Sequence, residues 1–252
     1  MLPNSGIWMN SRVSLHLFAA VLISFGALVG CGDFTEKMLS HQLGKPNGVP
    51  ATEQSFPDRE ISGEFPPAKG QMYPDMRLVD QDGNPFNVED FKGQVVFVEL
   101  AAIPCGGCQA FAGANEKGGY LTSKVQSNLK SIHHYVDRFC DMEPGRDFVF
   151  VQLLIYNNDL KAPTQEEVAG WADHFGMKTE DRQYVVGAPP AILNQKTRDA
   201  IPGFHLIDLQ GKFVADSCGH QPTDDLFSDL LPMLADLAKR KKRVKNRHFS
   251  RK

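Results

Sequence analysis

The hydrophobic positions of the chain are concentrated in a few dense runs, separated by polar and glycine-rich segments. The densest run is 95–104, which begins two residues after Gly93 and contains Glu99 as its one charged residue. Such a run, rich in β-branched and aromatic residues, is typical of a buried strand. A second continuous run, 148–156, predicts another central strand parallel to the first. The pattern therefore predicts a domain built on a buried sheet.

Helical periodicity appears in three places between and after these runs. Apolar residues recur every three or four positions over 121–139, which predicts a long amphipathic helix. A capping box opens a second helix over 164–176, and a last helix is expected over 224–238 with an interruption at Pro232. A tight turn within 204–215 predicts a β-hairpin. The resulting order, β-α-β-α-β-β-α, predicts an α/β domain with a central mixed sheet flanked by helices.

The first thirty residues follow a different pattern. Arg12 precedes a mostly apolar run, 13–30, after which the chain turns polar at Cys31 and Gly32. This order is typical of a secretory signal. Its end, 28–31, resembles the bacterial lipobox, and that resemblance implies cleavage before Cys31 and lipidation of its sulfur and amine. A transmembrane anchor is the alternative, since about 18 apolar residues can span a bilayer. Either interpretation predicts an extracytoplasmic domain, held on the periplasmic side of a bacterial membrane.

Composition divides the chain into four predicted parts. They are a lipoprotein signal (1–30), a flexible tether (31–70), a folded domain (71–238) and a basic, disordered tail (239–252). Of the 27 Lys and Arg residues, nine lie in the tail and one in the signal, so 17 remain to face 30 acids in the rest of the chain. The tail suits anionic lipid headgroups, and no nucleic-acid partner is expected outside the cytosol.

The chemistry-bearing motif follows the densest apolar run at once. Cys105 and Cys108, separated by two glycines, would lie in the first turn of a helix, whose unpaired N–H groups and dipole favour a thiolate. Cys105 would then attack a disulfide, and Cys108 would resolve the mixed disulfide. A zinc site or a structural disulfide are the alternatives. A four-ligand zinc site needs a second cysteine or histidine pair, whereas Cys31, Cys140 and Cys218 are scattered, so no metal is expected.

Several motifs in a fixed order carry a resemblance to a family. They are Tyr-Pro-Asp (73–75), Asp-x-x-Gly (80–83), Phe-x-x-Glu-Asp-Phe-Lys-Gly-x-Val-Val (86–96) and Cys-x-x-Cys (105–108). Together they resemble the start of the extracytoplasmic thioredoxin-like oxidoreductases of the TlpA/ResA group, over about residues 73–235. The resemblance implies a thioredoxin-like fold with an N-terminal extension. It also implies thiol–disulfide exchange with client proteins and a redox partner protein, with the dithiol itself in place of any cofactor.

The same resemblance implies roles for residues around the dithiol. Glu99 stands where thioredoxins place a buried acid that relays protons to the resolving thiol, although a surface acid on an edge strand is the alternative. Pro202 stands where the family has a cis-proline beside the dithiol, with the polar groups of Ile201 free to pair with a substrate strand. Gly219 falls in the loop that forms the rim of the site.

Two departures from the family lie at the motif itself. Pro104 replaces the usual aromatic residue before the first cysteine and would contact substrate, and the Gly-Gly dipeptide is expected to loosen the start of the helix. The direction of electron flow is therefore left open.

Cys218 and His220 follow the last predicted strand, so a third thiol and an imidazole could approach Cys105 as auxiliary redox groups. Cys140, at the end of the helix predicted over 121–139, is a second candidate for an auxiliary redox residue. The alternatives are a structural disulfide between Cys218 and Cys140, or a free buried cysteine.

Two related functions and one binding role compete with the oxidoreductase. A peroxiredoxin-type peroxidase requires Pro-x-x-x-Thr-x-x-Cys, but Val98 stands at the proline position and Ala102 at the threonine position. A Sco-type copper-binding assembly factor requires Cys-x-x-x-Cys and a histidine where Pro202 stands. A non-catalytic binding module would have little use for an intact Cys-x-x-Cys.

Overall fold

The computed structural model describes residues 59–122, 124–219 and 222–249, and the side chains of all of these except 122 and 241–249. The predicted signal, Cys31 and most of the predicted tether lie outside this part of the chain. The strands are β1 (Glu60–Ser62), β2 (Asp75–Val79), β3 (Pro85–Phe86), β4 (Val96–Ala101), β5 (Val149–Leu154), β6 (Gln183–Gly187), β7 (Gly203–Ile207) and β8 (Phe213–Cys218). The helices are α1 (Gly106–Ala112), α2 (Ala114–Lys117), α3 (Ile132–Cys140), α4 (Gln165–Phe175), α5 (Gln195–Asp199) and α6 (Leu231–Phe249).

A five-stranded mixed sheet, in the order β6-β5-β4-β7-β8, forms the centre of the domain. β4 runs parallel to β5 and antiparallel to β7, and every residue of β4 and β5 is buried. A cysteine-bearing helix follows the central strand, and the antiparallel pair β7–β8 closes the sheet. This is a thioredoxin-like fold, as predicted. The edge strand β6 was not predicted as a strand.

Aromatic rings fix α1 against one face of this sheet. Phe97 of β4 stacks on Phe204 of β7, with ring centroids 5.3 Å apart, and the edge of Phe204 meets Phe111 of α1 at 5.1 Å. Each fully buried phenylalanine contributes up to about 3 kcal/mol through removal of its apolar surface from water. The dithiol helix is therefore seated on the two strands that end beside it.

The N-terminal extension packs on the domain before residue 71. β1 pairs with β2, which pairs with β3, and Phe65 is buried against Tyr73. Lys69 forms ion pairs with Asp216 and Asp224. The predicted tether is therefore wrong over 59–70. A strand of three residues and one buried aromatic residue do not produce a repeating pattern of apolar positions that could be recognised in the sequence.

The predicted helix over 121–139 is also wrong in its first half. The helix α3 begins at Ile132, where the Ser131 side chain accepts a hydrogen bond from the backbone N–H of His134. The preceding segment is a coil in which Val125 and Leu129 are half-buried. Those two residues therefore imitate helical spacing although the backbone between them is not helical.

The last helix begins and ends differently from the prediction. The interruption expected at Pro232 takes the form of a π-helical turn (Leu226–Leu230) that runs directly into α6, whose second residue is Pro232. The backbone of α6 is helical to Phe249, whereas disorder was predicted from 239. Lysine and arginine are strong helix formers, and Arg240 pairs with Asp236 one turn earlier. Within the described ranges, no helix combines the length and the apolar character needed to cross a membrane.

Candidate functional site

The two cysteines of the motif lie at the start of α1. Cys105 is the N-cap residue, and its Sγ accepts a hydrogen bond of 3.1 Å from the backbone N–H of Cys108. A disulfide joins the two residues, whose Cα atoms are 5.3 Å apart. Cys105 is partly exposed and follows the exposed Pro104, whereas Cys108 is fully buried. Cys105 is therefore the sulfur that another molecule can reach.

Pro202 lies directly against the turn between the cysteines. The Ile201–Pro202 peptide bond is cis, as the resemblance implies. A Cβ atom placed on Gly107 would lie 3.3 Å from Cγ of Pro202. The structure thus brings the start of β7 and the dithiol together, although about a hundred residues separate them in sequence.

Ile201 differs from the expectation in one respect. Its backbone N–H donates a hydrogen bond of 3.2 Å to the carbonyl oxygen of Arg198, so this amide is not available to a substrate strand. The side chain is buried. Among the described residues, none donates a hydrogen bond to the Ile201 carbonyl oxygen.

Gly219 supports the Pro202 loop from the end of β8. Its N–H donates to the carbonyl oxygens of both Ala200 and Pro202, at 3.1 Å each. Its φ is +68°, and a Cβ at this position would overlap the carbonyl oxygen of Asp199. Only glycine meets both demands without strain. Gly219 therefore holds the loop that contains Pro202.

The Gly-Gly dipeptide is packed rather than loose. Residues 124–126, called the crossing segment below, pass over it, and the N–H of Gln126 donates to the carbonyl oxygen of Gly106 at 3.0 Å. A Cβ on Gly106 would overlap the carbonyl oxygen of Lys124, and one on Gly107 would lie 3.2 Å from Oε1 of Gln126. The expectation that the glycines loosen the helix start is wrong, because the crossing segment packs where side chains at these two positions would lie.

Glu99 is fully buried on the sheet face that α1 covers. It lies opposite Phe204 in the antiparallel β4–β7 pair, and residues directly opposite each other point to the same face. Phe204 contacts Phe111 of α1, so the Glu99 carboxyl lies beneath that helix. Burial raises the pKa of Glu99 to about 8, against a smaller opposing effect of the hydrogen bond from Gln152.

A short hydrogen-bond chain holds this carboxyl. Nε1 of Trp171 donates to Oε1 of Gln152 at 2.6 Å, and Nε2 of Gln152 donates to Oε2 of Glu99 at 2.7 Å. No described group bonds to the other oxygen of Glu99, Oε1. Gln152 was not predicted as a site residue, although a polar residue in the middle of the second apolar run was a usable signal. It is in register with Glu99.

Gln109 is a second buried amide that the sequence analysis missed. Its Nε2 donates to the carbonyl oxygens of Ile103 and Tyr120, at 2.8 and 3.0 Å, and its Oε1 accepts from the N–H of Tyr120. The side chain is fully buried. It therefore ties the turn before Cys105 to the chain that leads into the crossing segment.

The remaining described cysteines are free thiols. Cys218 pairs with Gly203 beside the Pro202 loop, but burial and the nearby Asp216 raise the pKa of its thiol to about 12. Cys140 lies on α3, where its Sγ donates to the carbonyl oxygen of Leu231 at 3.3 Å and burial raises its pKa. The structural disulfide considered between them is not formed. His220 lies outside the described residues.

Comparisons with known proteins found similarity to solved structures, and to no family model or curated protein. Among solved structures, a SCO1/SenC family lipoprotein from Bacillus anthracis is similar, with 16% identity, a TM-score of 0.44, and coverage of 70% of this chain and 99% of that one. A thioredoxin-family thiol:disulfide interchange protein from Chlorobium tepidum matches with 18% identity, a TM-score of 0.41, and coverage of 68% and 99%. The exposed lipoprotein thioredoxin Etrx1 from Streptococcus pneumoniae matches with 19% identity, a TM-score of 0.40, and coverage of 65% and 99%.

Proposed function

We propose that this protein is a membrane-anchored, extracytoplasmic thiol–disulfide oxidoreductase that acts on client proteins through Cys105 and Cys108. One observation carries the proposal: a partly exposed sulfur caps a helix beside Pro202, and its buried partner lies in the same helix that covers Glu99. These are the parts that disulfide exchange needs, namely an accessible nucleophile, a resolving thiol and a group that takes up protons.

Cys105 is the attacking residue in this proposal. After reduction of the pair, the N–H of Cys108 and the start of α1 stabilise a thiolate on Cys105. That thiolate attacks one sulfur of a client disulfide. A Cys105–client bond forms, the client S–S bond breaks, and the departing client sulfur takes up a proton.

Cys108 completes the exchange. It gives up its proton, attacks Cys105 Sγ, and releases the second client sulfur, which also takes up a proton. The dithiol loses two electrons and two protons, and the client disulfide gains them. An external dithiol reductant restores the pair, and the same steps in reverse oxidise a client. A deprotonated Glu99, whose pKa of about 8 lies near that of a thiol, receives the proton from Cys108.

The anchor in this proposal is an acyl-modified Cys31. Its support is the sequence alone, in which the apolar run ends at that residue. Metabolic labelling with a radioactive fatty acid in a bacterial host tests it. Label in the wild type and none in Cys31→Ser would support the anchor, whereas equal label in both would contradict it.

The activity is tested by reduction of insulin with dithiothreitol, using the full chain in detergent. We expect the wild type to accelerate precipitation of the insulin B chain and Cys105→Ser to fall to the uncatalysed rate. Cys140→Ser, which removes a thiol of α3, is the matched control and keeps the wild-type rate. Equal rates in wild type and Cys105→Ser would refute the role of Cys105.

The two related functions receive less support. Val98 and Ala102, where a peroxidase of the peroxiredoxin type needs proline and threonine, are fully buried. A Sco-type copper carrier needs a histidine where Pro202 stands. Titration of the reduced chain with copper tests the carrier function directly: tight, stoichiometric binding that requires both thiols would favour it over the oxidoreductase.

A further inference from the structure

An arginine stacked on a tyrosine lies at the same edge of the sheet as the dithiol. The guanidinium carbon of Arg198 is 5.6 Å from the centre of the Tyr156 ring. Tyr156 follows β5, and Arg198 lies on α5, just before the Pro202 loop. Neither residue has a part in the proposed exchange.

The strand order places this pair across the end of β4. β5 and β7 are the two neighbours of β4, so a contact between the residue after β5 and one just before β7 spans the chain that leads to Cys105. Hydrogen bonds fix both sides. The N–H of Ile103 donates to the Tyr156 carbonyl oxygen at 3.1 Å, and the N–H of Ile201 donates to that of Arg198 at 3.2 Å.

The Arg198 guanidinium has unused donors. It is half-buried, and it forms no hydrogen bond or ion pair with any described residue. Two carboxylates on or against α5 have other partners: Asp199 accepts a hydrogen bond from Gln195 at 2.7 Å, and Glu64 pairs with Lys196 at 3.2 Å. A guanidinium carries five N–H donors in a planar fork, and stacking on an aromatic ring holds that fork in one orientation. Its geometry matches a carboxylate.

We propose that Arg198, held by Tyr156, binds a carboxylate of the substrate beside the disulfide that Cys105 attacks. This inference rests on the proposed function and adds a substrate class to it, namely disulfides flanked by aspartate or glutamate. The body of the chain carries an excess of acids, which repels acidic substrates at long range. A preference for an acidic neighbour must therefore arise from a local cation such as Arg198.

Two synthetic peptide disulfides that differ only by Glu or Gln beside the reactive cysteine test the inference. The full chain reduces each with dithiothreitol as reductant, and kcat and KM are measured. We expect the wild type to favour the Glu peptide about fivefold to tenfold in kcat/KM, mainly through KM, as a charge-assisted pair would give. Arg198→Met keeps the apolar stem and should bring the ratio to about one, and Arg198→Lys should keep part of it.

Arg138→Met is the matched control, because Arg138 is an exposed arginine near the end of α3, which leads to the opposite end of β5. It should keep the wild-type ratio. Glutathione disulfide is tested as a third substrate. If Arg198→Met lowers kcat/KM for the Glu peptide but not for glutathione disulfide, the subsite binds polypeptide clients. If it lowers kcat/KM for both substrates, the subsite binds carboxylates generally. A wild-type ratio of one, or an unchanged ratio in Arg198→Met, overturns the inference. If the wild type reduces neither peptide, the proposed function itself fails.

Discussion

At the scale of single residues, the least ordinary group is the Glu99 carboxyl, which is enclosed on a strand whose every residue is buried. Among the described residues, the hydrogen bond that it accepts comes from the neutral amide of Gln152, so a proton is what neutralises its charge. A group of this kind affects both the stability of the domain and the rate of any proton transfer beside it.

Glu99→Gln should change the pH dependence of catalysis. The wild-type rate of the resolving step is expected to rise as pH increases through about 8, because only the deprotonated carboxyl accepts a proton from Cys108. Without that acceptor the rate should fall roughly 10²-fold and lose this inflection. Single-turnover kinetics with a mixed disulfide on Cys105 measures it. An unchanged inflection in Glu99→Gln would show that another group titrates.

Glu99→Gln should also change how stability depends on pH. The wild-type free energy of unfolding falls as pH rises, whereas the rate of the resolving step rises. The pKa of Glu99 in the folded protein, about 8, lies above its ordinary value of 4.5, so the contribution of Glu99 to stability is complete below pH 4.5 and declines as pH rises to 8. The decline amounts to about 1.4 kcal/mol per pH unit. Urea unfolding at pH 5 and pH 8 should show this loss in the wild type, and a smaller one in Glu99→Gln.

His205 should produce a loss of stability at the acidic end. It is fully buried on β7, where the Tyr73 hydroxyl lies 2.9 Å from its Nδ1, and burial lowers its pKa to about 3. Since the unfolded chain binds a proton near pH 6.5, stability is full above that pH and falls by about 1.4 kcal/mol per unit toward pH 3.

Urea unfolding at pH 4.5 and 7.5 measures this difference. His205→Phe should show a smaller change between the two pH values than the wild type, whatever its absolute stability. His134→Gln, which removes an exposed imidazole from α3, should leave the change as it is. Equal changes in wild type and His205→Phe would mean that His205 is not the titrating residue.

At the scale of elements, the main feature is the contact between the crossing segment and the first turn of α1. Asn115 strengthens it, since its Nδ2 donates to the carbonyl oxygens of Gln126 and Leu129 at 3.0 and 2.8 Å. The start of the dithiol helix is therefore held by a segment that follows it in sequence.

Gly106→Ala should displace the crossing segment, because the added methyl group would overlap the Lys124 carbonyl oxygen. We expect a loss of about 1–3 kcal/mol in the free energy of unfolding and faster hydrogen exchange at the Gln126 amide, which bonds to Gly106. Gly107→Ala is the comparison: its methyl group needs shifts of only tenths of an ångström. If Gly107→Ala were the more damaging variant, the crossing segment would not be what requires Gly106.

At the scale of the whole molecule, the extension before residue 71 belongs to the folded domain. A chain beginning at residue 54 should be more stable than one beginning at 71, which lacks β1, Phe65 and Lys69. Loss of the buried Phe65 side chain alone removes about 1.5–3 kcal/mol. Urea unfolding of the two fragments measures the difference, and Phe65→Ala in the longer one isolates the aromatic contribution. Equal stabilities would mean that the extension is only loosely attached.

The sequence predicted those features that depend on local pattern. β4 and β5 were found because both are continuous apolar runs, and the dithiol was found because its spacing is contiguous. The coil before α3 was mistaken for helix because burial on a neighbouring element reproduced helical spacing. Gln152 and Arg198 were not found, since the importance of each depends on a partner from another element. Contacts between residues that are distant in sequence therefore cannot be predicted from local sequence pattern.

The hydrogen-bond chain from Trp171 to Glu99 has a practical consequence. The protein has two tryptophans, Trp171 and Trp8, and Trp8 lies in the predicted signal. In a fragment that starts at residue 54, the fluorescence of Trp171 should therefore change when Glu99, two hydrogen bonds away, becomes charged. No attached dye is needed. A fluorescence titration that gives a midpoint near pH 8, absent in Glu99→Gln, would provide a label-free record of that ionisation.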